Sequence, residues 1–101
     1  MKIPEKLKIG GKIYSVEITD KLMLGSANYS GEILYNDLII RVCPASKSKM
    51  EADFVHEMIH GILSHLGYCE HDEKKVDELA NVLYAVFVDN PDMFKESGDN
   101  K

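Results

Sequence analysis

Apolar and polar positions alternate along residues 7–18, with Leu7 and Ile9 before Gly10-Gly11 and Ile13, Val16 and Ile18 after it, interrupted by Tyr14. Two such runs about a glycine pair predict a β-hairpin, since glycine readily supplies the positive φ of a tight turn. Two shorter runs, 31–35 and 38–43, meet at Asn36-Asp37 and close at Pro44, predicting two more strands. Residues 20–30 fit a helical turn or a loop equally well. From about residue 49 the period lengthens: Val55, Ile59, Ile62, Leu63 and Leu66 recur at helical spacing until Gly67, and Ser48-Lys49-Met50-Glu51 fits a capping box. A second helix begins near Asp72, a candidate N-cap, and runs through Val76, Leu79, Ala80, Leu83 and Phe87 to Asp89-Asn90-Pro91. The connection over 67–71 is short, so the two helices should pack antiparallel. The expected fold class is α+β, a small mixed or antiparallel β-sheet followed by two packed helices. It forms a single domain over 1–94, with a disordered polar tail over 95–101.

Inside the first helix the residues His56-Glu57-Met58-Ile59-His60 spell H-E-x-x-H. Four helical residues turn through about 400° and rise about 6 Å, so both imidazoles project from nearly the same face and can share one zinc ion. Glu57 then sits beside the metal rather than on it. Its carboxylate is placed to take a proton from water that the metal has made acidic, the role of a general base in hydrolysis.

Composition narrows the remaining classes. A chain of 101 residues with 45% hydrophobic residues supports one modest core, which a bound metal would help to stabilise. A net charge of −5 and a pI near 5.3 disfavour a broad nucleic-acid or anionic-membrane surface. Arg41 is the sole arginine, and the lysines are scattered along the chain. Cys43 and Cys69 have neither C-x-x-C spacing nor a secretory setting, so both are expected to be reduced packing residues. The first residues lack an apolar signal core and no apolar run approaches membrane-spanning length, which points to the cytoplasm.

Catalytic zinc sites use three protein ligands and one open position, so a third group must join His56 and His60. The metzincin extension would need Gly at 63 and His at 66, where Leu63 and Leu66 stand. An acid of the second helix fits better. Measured from the stripe Val76, Ala80, Leu83 and Phe87, Asp77 lies about 100° round the helix and Glu78 roughly 160–200°, so Asp77 is nearer the seam and Glu78 is the alternative. Tyr84, seven residues after Asp77 on nearly the same side, is a candidate hydroxyl for the oxyanion.

His56-Glu57-x-x-His60, the later run Val76-Asp77-Glu78-Leu79-Ala80-Asn81-Val82-Leu83-Tyr84 and the terminal Asp89-Asn90-Pro91 resemble the ImmA/IrrE-like metallopeptidases, particularly their small phage and prophage members. Gly31-Glu32-Ile33 and the following strand join the resemblance, which covers roughly 31–94. It implies a minimal zincin-like fold of the gluzincin type, with zinc held by His56, His60 and Asp77 and with Glu57 as general base. Members more often carry Glu at the position of Asp77. The resemblance further implies an intracellular protein substrate, such as a phage or host repressor, within the bacterial host cytoplasm.

Two other functions compete. His60-Gly61-Ile62-Leu63 with Gly67-Tyr68 resembles part of the histidine motif of bacterial zinc endoribonucleases of rRNA maturation. However, Ser64 and Glu70 stand where its second and third histidines belong, and an acidic chain is a poor RNA binder. The other rival is a zinc-stabilised binding protein without catalysis, against which Glu57 argues, because a structural site needs no base beside the metal. For the peptidase, fold analogy adds an exposed edge strand over 38–43 that aligns an extended peptide by strand addition.

Overall fold

A computed structural model describes residues 1–23 and 29–96, and within them the order is β1 (Lys6–Ile9), β2 (Lys12–Ile18), β3 (Gly31–Leu34), β4 (Ile39–Val42), α1 (Lys47–His65) and α2 (Glu73–Asp89). The expected α+β class is observed. The undecided segment 20–30 falls partly on residues 24–28, and the expected tail partly on 97–101, both outside the described residues.

The sheet is mixed, in the order β1-β2-β4-β3. β1 and β2 form the expected antiparallel hairpin, pairing Ile9 with Lys12 across Gly10-Gly11, both at positive φ. β2 then pairs in parallel with β4, Ser15 opposite Ile39 and Ile18 opposite Val42, while β3 lies antiparallel outside β4. The strand expected as an exposed edge is therefore interior. β4 is hydrogen-bonded on both sides and cannot receive a peptide; β3 is the edge on that side. The turn between these strands is longer than Asn36-Asp37 alone and ends at Leu38, a non-glycine residue at φ 56°.

Ile40, Val42 and Val55 are fully buried where α1 crosses β4, and Tyr14, Ile33, Phe54 and Ile59 complete the layer. Gly61 permits this close approach: a Cβ there would stand 2.7 Å from Ile9 Cδ1 and 3.1 Å from Ile33 Cδ1. α2 packs on α1 through Val76 and Ala80, with Leu83 and Phe87 half-buried. Of the expected stripes, Ile62, Leu66 and Leu79 are exposed.

α1 begins earlier than its sequence pattern suggested. Its N-cap is Ser46, whose Oγ accepts from Lys49 N at 3.4 Å, and Ser48 lies inside the helix. Glu51 consequently closes no capping box. It is buried and accepts the Tyr84 hydroxyl at 2.8 Å. α1 stops at Gly67, φ 98°, where Gly67 N donates to Ser64 O and Tyr68 N to Leu63 O, the paired bonds of a Schellman turn. α2 opens on Asp72 as expected, its carboxylate accepting from Lys74 N at 3.1 Å and Lys75 N at 3.4 Å. Cys43 is half-buried, but Cys69 is exposed and packs nothing in the core. No helix among the described residues is long and apolar enough to cross a membrane.

Candidate metal centre

Three side chains converge where the middle of α1 meets the first turn of α2. His56, His60 and Glu73 each offer one ligand atom, and the three atoms lie within 4.8 Å of one another. Glu73 Oε1 is 2.7 Å from His60 Nε2, and Glu73 Oε2 is 3.4 Å from His56 Nε2. The ring centres are 5.0 Å apart. Two imidazole nitrogens and one carboxylate around a common point form a donor set that suits zinc, and three donors leave one coordination position for a small molecule.

His56 and His60 come together as expected, but the acid that joins their group is Glu73 rather than the expected Asp77. Asp77 Oδ1 lies 3.0 Å from His56 Nδ1, the nitrogen on the other side of the ring from the one facing Glu73. It therefore stands behind the ring, where it accepts the Nδ1 proton and leaves the Nε2 lone pair free to bind a metal. Glu78 is exposed, and no hydrogen bond or ion pair joins it to this group. Glu73 precedes Val76 by three residues and Ala80 by seven, so it stands in register with the buried stripe at the first turn, and that register is the signal in the sequence that points to it.

His71, in the connection between the two helices, also enters the site. Its Nδ1 is 2.7 Å from His60 Nδ1 and its Nε2 is 2.9 Å from the Tyr68 carbonyl oxygen. Tyr84 does not: its hydroxyl is committed to Glu51. His65 lies away from the group, its ring against Gly10, where any Cβ would collide with it.

Glu57 turns toward β3. A Cβ on Gly31 would stand 3.4 Å from both Cγ and Oε2 of Glu57, so the absence of a side chain at the start of β3 makes room for this carboxylate. Burial raises the Glu57 pKa to about 8, with the negative charges of Glu73, Asp53 and Glu32 adding to the effect. A cation bound by the neighbouring ligands would oppose that shift. Burial also lowers the pKa of His60, against the pull of Glu73, which favours the neutral ring that metal binding requires.

The group opens into a cleft of ≈ 360 Å³ lined by Tyr29, Gly31, Glu32, Ile33 and Tyr35 opposite His56, Glu57, His60 and Glu73. A second cleft of ≈ 390 Å³ continues past the same residues to Lys49, Asp53 and Asp77. The edge strand β3 thus forms one wall of the opening. Tyr35 presents the phenol that Tyr84 does not; burial first, and then Glu57, push its pKa up to about 12, so its hydroxyl stays protonated as a donor. A larger cavity, ≈ 450 Å³, lies elsewhere, against Met1, Ile3, Val16 and Met50, and holds none of the metal-site residues.

Comparison with protein-family models, with curated proteins and with solved structures found no match.

Proposed function

We propose that the chain is a zinc-dependent endopeptidase acting on a protein or peptide, with His56, His60 and Glu73 holding the metal and Glu57 as general base. The observation that carries this reading is the grouping of two imidazoles and one carboxylate around a single point, with Glu57 beside them at the floor of an open cleft. Zinc held by His56, His60 and Glu73 would supply Lewis acidity toward a carbonyl oxygen and would lower the pKa of water at the site. Glu57 accepts the water proton and passes it to the leaving amine. Tyr35, which lines the cleft, would donate a hydrogen bond to the developing oxyanion. β3, the outer strand of the sheet among the described residues, borders the site, and an extended peptide would add to it as a strand. An intracellular regulator as substrate, in the cytoplasm of a bacterial host, follows from the ImmA/IrrE-like resemblance alone and belongs to this proposal.

Glu57→Gln separates catalysis from metal binding. The variant is expected to take up one equivalent of zinc as the unaltered protein does, while hydrolysis of a mixed peptide library falls by about 10²–10⁴-fold. A protein that takes up no zinc would overturn the metal-centre reading. Zinc uptake with no cleavage dependent on Glu57 would instead favour the binding-protein reading.

A further inference from the structure

We propose that His71 is the positioning residue for His60, accepting its Nδ1 proton and so keeping the Nε2 lone pair directed at the point shared with His56 and Glu73. This rests on the metal-centre reading and gives a role to a residue outside the donor set. The starting observation is a chain of three groups: His60 Nδ1 to His71 Nδ1 at 2.7 Å, and His71 Nε2 to the Tyr68 carbonyl oxygen at 2.9 Å. A carbonyl oxygen only accepts, so His71 Nε2 carries the proton of that bond. Nδ1 of the neutral His71 ring is then bare. Two Nδ1 atoms share a hydrogen bond only if one is protonated, and the proton therefore sits on His60. With a cation at the shared point, neutral His60 with its proton on Nδ1 would turn its Nε2 lone pair to that cation beside the Glu73 carboxylate, 2.7 Å from Nε2, in place of a hydrogen bond between the two.

The ring geometry agrees. The His60 and His71 centres are 4.9 Å apart with planes inclined by only 23°. So long a separation between centres, beside so short a nitrogen–nitrogen contact, places both nitrogens on the line between the rings. That is an in-plane hydrogen bond rather than a face-to-face stack. Tyr35 meets His71 edge-on, with ring centres 6.5 Å apart and planes at 88°. Tyr68, which supplies the carbonyl, is itself tied by its N–H to Leu63 O at the end of α1. The relay thus begins and ends on the helix that carries His60.

His56 is oriented differently, by the Asp77 carboxylate at 3.0 Å. A neutral imidazole does the same work for His60 without adding another negative charge to a centre that already faces Glu57, Glu73 and Asp77.

Two measurements test the assignment: imidazole ¹⁵N spectra of the zinc-loaded protein, and zinc affinity by competition with a chromophoric chelator. The spectra are expected to show His60 bound through Nε2 with a proton on Nδ1, and His71 unbound with its proton on Nε2. His71→Leu is expected to weaken zinc binding by about 10–100-fold, the range for loss of a ligand's outer hydrogen bond, and His71→Asn, which keeps an acceptor, to recover most of it. His60 bound through Nδ1, His71 itself bound to zinc, or His71→Leu and His71→Asn losing affinity equally would each overturn the proposal, as would unchanged affinity in His71→Leu. If His71→Leu does not fold, the spectra of the unaltered protein decide alone. Failure of the unaltered protein to bind zinc defeats the metal-centre reading as well, whereas zinc binding indifferent to residue 71 defeats only the role of His71.

Discussion

At the scale of single residues, Glu73 and Asp77 stand four positions apart on α2 and meet opposite sides of the His56 ring, Nε2 and Nδ1 respectively. Their substitutions should therefore differ in kind. Glu73→Ala removes a ligand and is expected to abolish stable zinc uptake. Asp77→Asn keeps a group that can hydrogen-bond to Nδ1 and is expected to leave one equivalent bound, at an affinity lower by about 10-fold. Equilibrium dialysis of both variants against buffered zinc would check this, and the reverse order would return Asp77 to the donor set. The two histidines and Glu57 were legible in the sequence because they fall within one helical turn. The third acid was not, because Glu73 and Asp77 lie one helical turn apart on nearly the same face of α2 and differ chiefly in where they stand along the helix axis against α1. That axial position is set where Val76 and Ala80 bury against α1, which brings Glu73 level with His56 and His60.

Among the elements, the segment between Gly67 and Asp72 controls how the two helices present the site. The Schellman turn at Gly67 ends α1, and the Asp72 carboxylate starts α2 with Glu73 as its first residue. Loss of the cap frays the turn that holds Glu73. Asp72→Ala is expected to cost about 1 kcal/mol of folding stability and to weaken zinc binding, while Asp72→Ser restores much of both. Urea denaturation alongside chelator competition would measure the two effects. These helix signals are local, and so Asp72 and Gly67 could be read directly from the chain. The sheet was only half legible, since the hairpin at Gly10-Gly11 is local whereas the parallel pairing of β2 with β4 joins segments separated by β3. No residue pattern distinguished β4 as interior from β3 as edge, because both are short and partly apolar.

For the molecule as a whole, one small sheet and two helices enclose the core, and a metal that binds only the folded form would stabilise it. Free zinc at a thousand times its dissociation constant is expected to add about 4 kcal/mol. Thermal unfolding should shift upward with zinc and fall back with a chelator, and Glu73→Ala should lose that response while Glu57→Gln keeps it. An unfolding temperature indifferent to zinc in the unaltered protein would contradict this. The donor atoms and both groups behind the rings all come from one continuous helical hairpin, whereas Gly31, Ile33 and Tyr35 reach the cleft from the sheet. On the proposed reading the metal-binding groups and Glu57 lie in the hairpin, while the sheet side contributes the peptide-facing wall together with Tyr35. Exchanging residues of β3 other than Gly31, with Tyr35 kept, should retarget the protein, and the hairpin carries its metal-binding groups as one transplantable unit.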